Sequence, residues 1–139
     1  MEREKFIHNV LESIGSITRE FNARGRYPFN HHALGRPHID VLFLLSQRQY
    51  TIKELSARLH VTSGAVTQFI DHLELKKLVQ RIENPNDKRS RLVRLTSGSE
   101  HEIKMFRKEY FRAIAGHFEK LSDNELKKLF QILQKIKGE

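Results

Sequence analysis

Cationic side chains are concentrated in one part of this chain, between Lys76 and Arg94. That stretch holds seven Lys or Arg residues against two acidic ones, a local charge of +5 within a formal net charge of +8 for all 139 residues. Ammonium and guanidinium groups bind phosphate oxygens, so the balance favours a polyanionic partner: DNA, RNA or an acidic membrane surface. Charge alone does not choose among these partners, and it also serves solubility.

A turn-rich segment divides this basic stretch. Residues 79–83 and 90–95 carry β-branched and basic side chains in rough alternation, which predicts two strands. Asn, Pro and Asp dominate the segment between them, and these residue types form tight turns. The tip is Asn84-Pro85-Asn86-Asp87-Lys88-Arg89-Ser90. The pattern therefore predicts a β-hairpin with a basic tip.

Four residues at or beside this tip are candidate DNA contacts. Arg89 has a planar guanidinium that suits a narrow A·T minor groove, where the potential is most negative. Lys88 and Arg91 are expected to hold phosphates, and Ser90 completes the set. Asp87 is expected to orient Arg89 or to cap the turn. The alternative is a solvated charged hairpin that binds nothing.

Two helices precede the hairpin at the spacing of a helix-turn-helix. The first begins with a capping-box pattern at Thr51 and Glu54. Its inner face is formed by Ile52, Leu55 and Leu59. The second, about 63–76, follows a turn at residues 60–62. It is expected to bury Val66, Phe69, Ile70 and Leu73. In such a unit the second helix enters the major groove of DNA, while the hairpin, or wing, reaches the backbone or a minor groove.

The opposite face of the second helix carries the polar residues expected to contact DNA. These are Thr62, Ser63, Gly64, Thr67 and Gln68, with His72 further along. N-terminal residues of a recognition helix lie nearest the base edges. Gln68 can pair with adenine N6 and N7, and Gly64 lets the backbone approach closely. Thr62 and Ser63 have the alternative role of helix caps only.

Two long apolar stripes are predicted at the chain ends, over residues 3–24 and 97–137. Residues 38–96 could nearly close a core of their own, so these stripes exceed what so small a unit needs as cover. A helix that cannot bury its stripe within its own chain buries it against a partner. We therefore expect a homodimer built from the terminal helices; the alternative is a monomer whose helices pack on each other.

Local signals mark where these helices begin. Residues 25–37 hold two Pro and two Gly and are expected to form an irregular connection. Pro37 then suits the first turn of a further helix. Either Ser97 or Ser99 is expected to cap the first C-terminal helix, and Ser122 the second, each with a Glu three residues on.

These residues make the chain similar to the MarR family of winged-helix transcriptional regulators. The similarity runs along residues 51–59, 61–67, 71–74 and 78–79, then through the wing at 84–89 to Leu95-Thr96. The Asp-x-Arg pattern of the family's wing falls on Asp87 and Arg89. With both terminal helices at the family's spacing, the resemblance covers essentially the whole chain.

The resemblance implies a mainly α fold in a single MarR-like domain, 1–139. A winged helix-turn-helix DNA-binding lobe would span 38–96, and N- and C-terminal helices, 3–24 and 97–137, would form a dimerisation lobe. It also implies a homodimer on a pseudo-palindromic operator in double-stranded DNA. A small molecule or another signal would release or recruit this dimer, repressors being the commoner case in the family.

Four positions depart from the family's pattern. Lys77 stands where Gly usually follows the recognition helix. A left-handed residue other than Gly costs roughly 1 kcal/mol, so we expect this helix to end in another way. His60 replaces a Gly common in the turn, Leu75 is apolar where a charge is usual, and Gly98 falls one place early. These departures concern local geometry rather than class.

The composition argues against several other classes. The chain has no Cys, which excludes disulfides, thiolate zinc sites and a thiol-based oxidant sensor within it. No apolar run approaches the ~18 residues of a membrane span, so we expect a cytoplasmic protein without a membrane partner. Without a Gly-rich phosphate loop or a nucleophile elbow, we expect neither an enzyme nor a cofactor. A winged helix that binds only protein is the remaining alternative, although it has no need of so basic a wing.

Eight His residues raise the question of a metal site. Zinc ligands usually come in close pairs such as i, i+4 with a carboxylate nearby. His31 and His32 are adjacent and do not face one another, and His101 has no second His at helical spacing, so we expect no metal.

A pocket for a small-molecule effector of unknown identity is expected where the terminal helices meet the DNA-binding lobe. Ordinary core packing explains each of its aromatic candidates equally well. These candidates are Tyr27, Phe29, His38, Phe43, Phe106 and Tyr110.

Overall fold

The structure is a computed structural model that describes residues 1–24 and 34–139. The helices in these ranges are α1 (Glu2–Arg24), α2 (Arg36–Leu45), α3 (Ile52–Leu59), α4 (Ser63–Leu75), α5 (Ser97–Ala115) and α6 (Asp123–Lys137). The strands are β1 (Tyr50–Thr51), β2 (Val79–Glu83) and β3 (Arg91–Leu95). This order confirms the predicted mainly α class with a winged helix-turn-helix. Each helix in the described ranges is too short or too polar to cross a bilayer.

One compact unit, within residues 34–109, contains the helix-turn-helix and the hairpin. Its largest fully buried side chains are Val41, Leu55, Val66, Ile70, Leu73, Val93 and Ile103. Phe69, also expected to be buried, is only partly so and packs on the edge of this cluster. Burying each such side chain contributes about 1.5–3 kcal/mol. The apolar face of α4 is therefore anchored, and its polar face is left outside.

The hairpin belongs to a sheet of three strands in the order β1-β3-β2. The strands β2 and β3 are antiparallel, with Val79 opposite Leu95 and Arg81 opposite Val93, which confirms the predicted hairpin. The third strand was not predicted: Tyr50 pairs with Val93 on the other side of β3. Two residues are too few to show a strand period, so only the pairing partner reveals β1.

The helix-turn-helix is closed by local hydrogen bonds. The hydroxyl of Thr51 accepts the amide proton of Glu54, whose carboxylate accepts the amide proton of Thr51, and this confirms the capping box. The hydrogen bond from the Thr51 amide is the main cause of a lowered pKa at Glu54. The side chain of Arg48 lowers this pKa further. At the far end of α3, His60 adopts a left-handed conformation with φ 56°. A non-glycine residue thus makes the turn into α4.

The end of α4 corrects one expectation. We expected Lys77 to avoid a left-handed conformation, but its φ is 60°. The amide of Lys77 donates to Glu74 O at 2.9 Å and that of Leu78 to Leu73 O at 3.0 Å, the paired bonds of a Schellman cap. Leu78 and Leu73 both join the core, and this burial offsets the strain at Lys77.

The start of α5 also differs from the prediction that Ser97 or Ser99 caps this helix. Neither Ser97 nor Ser99 stands before the helix as its cap, because α5 begins at Ser97, directly after Thr96. Ser99 is buried, and its hydroxyl donates to Leu78 O at 2.7 Å. The Thr96 hydroxyl donates to Lys77 O at 2.9 Å. These two hydroxyls tie the start of α5 to the base of the hairpin.

The second compact unit contains α1 and residues 110–139. Within it, the ring of Phe21 lies 5.9 Å from that of Phe118, in a short 3-10 helix, Gly116–Phe118. The predicted capping box at Ser122 is present: its hydroxyl accepts the amide proton of Glu125 at 3.2 Å. Many large apolar side chains of this unit remain exposed: Phe6, Ile7, Val10, Leu11, Ile14, Ile17, Phe111, Phe130, Ile132, Leu133 and Ile136.

Candidate nucleic-acid interface

The N-terminal turn of α4 is exposed and carries most of the residues expected to contact bases. Thr62 precedes the helix in an extended conformation, and its hydroxyl accepts the amide proton of Ala65 at 3.1 Å. Thr62 is therefore a helix cap, whether or not it also contacts DNA. Ser63 and Gly64 follow it on the exposed surface. The free amides at this end favour an anion such as a phosphate.

The next turn of α4 presents Thr67 and Gln68. The hydroxyl of Thr67 donates to Ser63 O at 2.9 Å, which leaves its lone pairs to accept hydrogen bonds from a ligand. Gln68 is exposed. Val66 and Ile70 are fully buried on the opposite side of the helix. That anchor gives Gln68 a defined direction outward, as base recognition requires.

His72, one turn further on, lies against a second imidazole. Its ring centroid is 4.5 Å from that of His38 in α2, and His38 also meets the edge of Phe69 at 5.5 Å. Burial lowers the pKa of His38, and the neighbouring His72 and Lys76 lower it further. Nδ1 of His38 is buried and has no hydrogen-bond partner in the described part of the chain. The charged form of His38 is therefore disfavoured where its ring lies against His72 of α4.

The wing tip is a hydrogen-bonded turn. Asn84 is buried; its side-chain amide donates to the Ser90 hydroxyl at 3.0 Å, and its Oδ1 accepts the amide proton of Asn86. The Ser90 hydroxyl in turn reaches Asp87 O at 3.3 Å. Ser90 therefore lies within the tip and closes it. The strand was predicted to begin at Ser90, but β3 begins at Arg91. The predicted DNA contact of Ser90 stays a prediction.

Asp87 fulfils both of the roles that were left open for it. Its Oδ1 accepts the amide proton of Arg89 at 3.0 Å, which caps the turn. The same oxygen lies 3.4 Å from Nε of Arg89, which orients the guanidinium. The Arg89 side chain is 93% exposed, so its free Nη groups point into solvent. Lys88 and Arg91 beside it are also exposed.

Arg81 is counted in the +5 charge of the basic stretch, but the structure pairs its side chain with carboxylates of the same lobe. Its Nη2 lies 2.7 Å from Oδ1 of Asp71, and its Nη1 contacts Oε1 of Glu74, both on α4. Its side chain is only 18% exposed. Arg81 therefore links the hairpin to the recognition helix instead of adding to the exposed charge of the wing. A contact ten residues apart between two elements has no signature in the spacing of the sequence.

Two expectations concern residues that the structure describes only in part. Tyr27 and Phe29 of the effector pocket, and His31 and His32, lie outside the described residues. Phe43 and Phe106 lie in the compact unit of the wing with ring centroids 5.6 Å apart. Within residues 1–24 and 34–139, no three His, Asp or Glu side chains gather as a set of metal ligands.

Comparison with known proteins gives a concordant result. The model of the MarR family matches residues 34–90. The HTH-type transcriptional regulator YkoM of Bacillus subtilis is 35% identical over 137 residues, covering 97% of this chain and 86% of its own. The regulator YsmB of the same organism is 26% identical over 137 residues, covering 96% and 92%.

Among solved structures, a MarR variant from E. coli complexed with operator DNA is similar in fold. Its TM-score is 0.72 at 24% identity, over 94% of both chains. The relatives are transcriptional regulators and not enzymes, which confirms the expectation that this chain is not an enzyme.

Proposed function

The chain belongs to the MarR family of transcriptional regulators, and we propose that it acts as a homodimer on a pseudo-palindromic DNA operator. The observation that carries the proposal is the arrangement of one lobe. The exposed N-terminal turn of α4 and the exposed guanidinium of Arg89 both belong to the unit within residues 34–109. One duplex can meet both at once, in adjacent major and minor grooves.

Each residue of the interface has a proposed role. Gln68 and Thr67 contact base edges, with Ser63 and the backbone at Gly64 close to the duplex. Thr62 caps α4, and His72 lies further along the groove. At the wing, Arg89 enters the minor groove.

Lys88 and Arg91 bind phosphates, and we assign Ser90 a structural role beside any contact it makes. Arg81 is left out of this set because its guanidinium is held by carboxylates.

The homodimer is supported by the apolar surface of α1 and α6. Phe6, Val10 and Leu11 on α1 are exposed, and so are Phe130 and Ile136 on α6. Phe6, Val10, Leu11 and Ile136 lie around one shared cleft, and soluble monomers seldom leave large apolar patches in water. A second copy of the chain would bury it through the same patch on both subunits. Two recognition helices would then face successive turns of the duplex.

We infer that the regulator is a repressor, released by a small molecule, because both properties are common in the family. We place it in the cytoplasm, where an operator is accessible. The chemistry of the effector is left open, since ligand specificity depends on the side chains of a site and not on the fold.

The test is selection of a duplex from a randomised library by the purified protein, followed by mobility shift. We expect a sequence-selective shift whose affinity falls steeply with salt, because several Lys and Arg residues displace counterions. Selection of a two-fold symmetric sequence would support a dimer on two half-sites. A winged helix that binds only protein would give neither selection nor salt dependence, and that outcome would remove the proposal.

A further inference from the structure

We propose that Arg81 is a positioning residue for DNA recognition: it holds the wing and the recognition helix at the mutual angle that the operator requires. The inference rests on the proposed DNA-binding function. It concerns a residue that touches no DNA and acts through two other elements, β2 and α4.

The geometry is that of a two-pronged clamp. Asp71 and Glu74 lie three residues apart, so they share one face of α4. The two Nη atoms of Arg81 contact one carboxylate each, Nη2 to Asp71 at 2.7 Å and Nη1 to Glu74. A guanidinium is a rigid planar fork, so its hydrogen bond to Asp71 together with its ion contact to Glu74 restricts the angle between β2 and α4 as well as their distance.

Arg81 is much more buried than the cations proposed to contact DNA. It stands opposite Val93, which is fully buried, so its side chain leaves β2 on the core face of the sheet. The Arg81 side chain is 18% exposed and that of Arg89 is 93% exposed. A guanidinium already engaged by two carboxylates of its own lobe is not available to a phosphate.

The position of the clamp along the strand explains why the wing needs it. The base of the hairpin is held by Leu78 and Val79 in the core, and the tip by its own internal hydrogen bonds. Arg81 lies between them and supplies the side-chain link from the middle of β2 to α4. A small error of angle at the base becomes a large displacement at Arg89, and recognition tolerates errors of only about 10–20°.

The clamp also offsets charge. Asp71 is 60% exposed on the helix that faces the duplex, and Glu74 lies one turn beyond it. Without Arg81, two uncompensated carboxylates would stand near DNA phosphates. Positioning and charge therefore both predict weaker binding when Arg81 is lost, and the experiment has to separate them.

The experiment compares Arg81→Gln with Arg94→Gln on the duplex that the wild-type protein selects. Arg94 is the matched control: it is exposed in β3, opposite Gln80 in the pairing, and its substitution removes the same charge. We expect Arg81→Gln to weaken selective binding by about tenfold or more, as for a broken network contact, and Arg94→Gln by far less. Arg81→Lys should recover part of the loss, since an ammonium reaches one carboxylate at a time.

Two further measurements identify positioning. The slope of log affinity against log salt should be smaller by about one in Arg89→Ala, which loses one contact, and it should also be smaller in Arg81→Gln, because a displaced wing carries Arg89 and its neighbours away from the duplex. The cost of Arg89→Ala should also be smaller in the Arg81→Gln background, where the wing no longer reaches its groove reliably. Loss of fold stability alone would produce neither result.

The triple variant Asp71→Asn, Glu74→Gln, Arg81→Gln removes the clamp without leaving excess negative charge. Weak selective binding by a folded triple variant supports positioning, and wild-type affinity overturns it. If Arg81→Gln does not fold, Asp71→Ala removes the acceptor of one prong at an exposed site, and its unchanged affinity overturns the inference. If the wild-type protein selects no duplex, the proposed function fails first and the inference fails with it.

Discussion

At the scale of single residues, the wing tip combines an acidic side chain with the arginine that is proposed to enter a DNA groove. Asp87 places a negative charge beside Arg89, which by charge alone would weaken DNA binding. The same carboxylate fixes both the turn and the guanidinium. A side chain held in its bound orientation loses less conformational entropy on binding. The Asp-x-Arg pattern is therefore a unit of preorganisation.

Arg89→Ala should weaken selective binding by about 1–3 kcal/mol, roughly fivefold to 150-fold, because the minor-groove contact is lost. Thermal unfolding should be unchanged, since the side chain is 93% exposed. Mobility shift and calorimetry measure the two quantities. Arg94→Ala, which removes the same charge from the same hairpin, is the control. Wild-type affinity in Arg89→Ala would show that the wing has been assigned wrongly.

His38 makes stability depend on pH. Its pKa is lowered below the ordinary 6.5 by burial, then by His72 and Lys76. The unfolded chain therefore takes up this proton first as pH falls, and stability is lost progressively below about pH 6.5. A Gln at position 38 takes up no proton, so the stability of His38→Gln does not fall for this reason. If the variant is less stable than wild type at pH 7.5, the difference in unfolding free energy should be smaller at pH 5.5. Urea titrations measure this, and a deficit independent of pH would contradict it.

At the scale of elements, α4 has two faces with different roles: one packs on the core and the other is proposed to contact DNA. Val66, Ile70 and Leu73 bind it to the core, while polar residues and Gly64 occupy the exposed side. Gly64 lowers the helix propensity of the first turn, yet the structure leaves room there for a side chain: an added Cβ would meet only the Thr62 hydroxyl, at 3.9 Å. Packing within the described chain does not require glycine at position 64, whereas the proposed close approach of DNA would.

Gly64→Ala should therefore separate stability from binding. Stability should be unchanged or rise by up to about 1 kcal/mol, because Ala is the better helix former. Selective binding should weaken, because the new methyl group stands between the backbone and the duplex.

Gly98→Ala is the matched control, since Gly98 holds the same second position of α5 and has open space around it. It should show the stability effect without the binding effect. Equal affinity of Gly64→Ala and wild type would rule out close approach at Gly64.

At the scale of the whole molecule, α1 and α6 expose large apolar side chains that the proposed second copy would cover. An amphipathic helix gains most of its stability from packing its stripe. Exposed side chains such as Phe6 and Ile136 leave that gain unrealised within one copy. Dimerisation would realise it and would supply the second DNA-binding lobe that a symmetric operator needs.

Sedimentation velocity at micromolar concentration should show a dimer. Leu11→Asp should shift it towards monomer, because Leu11 is 62% exposed on the apolar face of α1 and a buried, unpaired carboxylate is costly. Leu75→Asp provides the control, since Leu75 is 84% exposed but belongs to the recognition helix. It should leave the dimer intact. A wild-type monomer would remove the dimer from the proposal.

Features that depend on interactions between residues close in the chain could be predicted from the sequence, and features that depend on distant residues could not. The capping boxes at Thr51 and Ser122 and the hairpin with its tip were predictable, because their hydrogen bonds join residues close in the chain. The buried face of α4 was predictable from its helical period, apart from the partial exposure of Phe69. The end of α4 was not, because the burial of Leu78 outweighs the local strain at Lys77.

The sequence by itself determined the class of this protein: local hydrogen bonding and apolar periodicity specify a helix-turn-helix with a basic wing. Only the tertiary structure decided which charged residues remain available to a ligand. It turned Arg81 inward onto Asp71, ten residues away, and bound Ser99 to Leu78, twenty-one residues away. The physical reason is that propensity and spacing act along the chain, whereas desolvation and ion pairing depend on what the folded chain brings alongside.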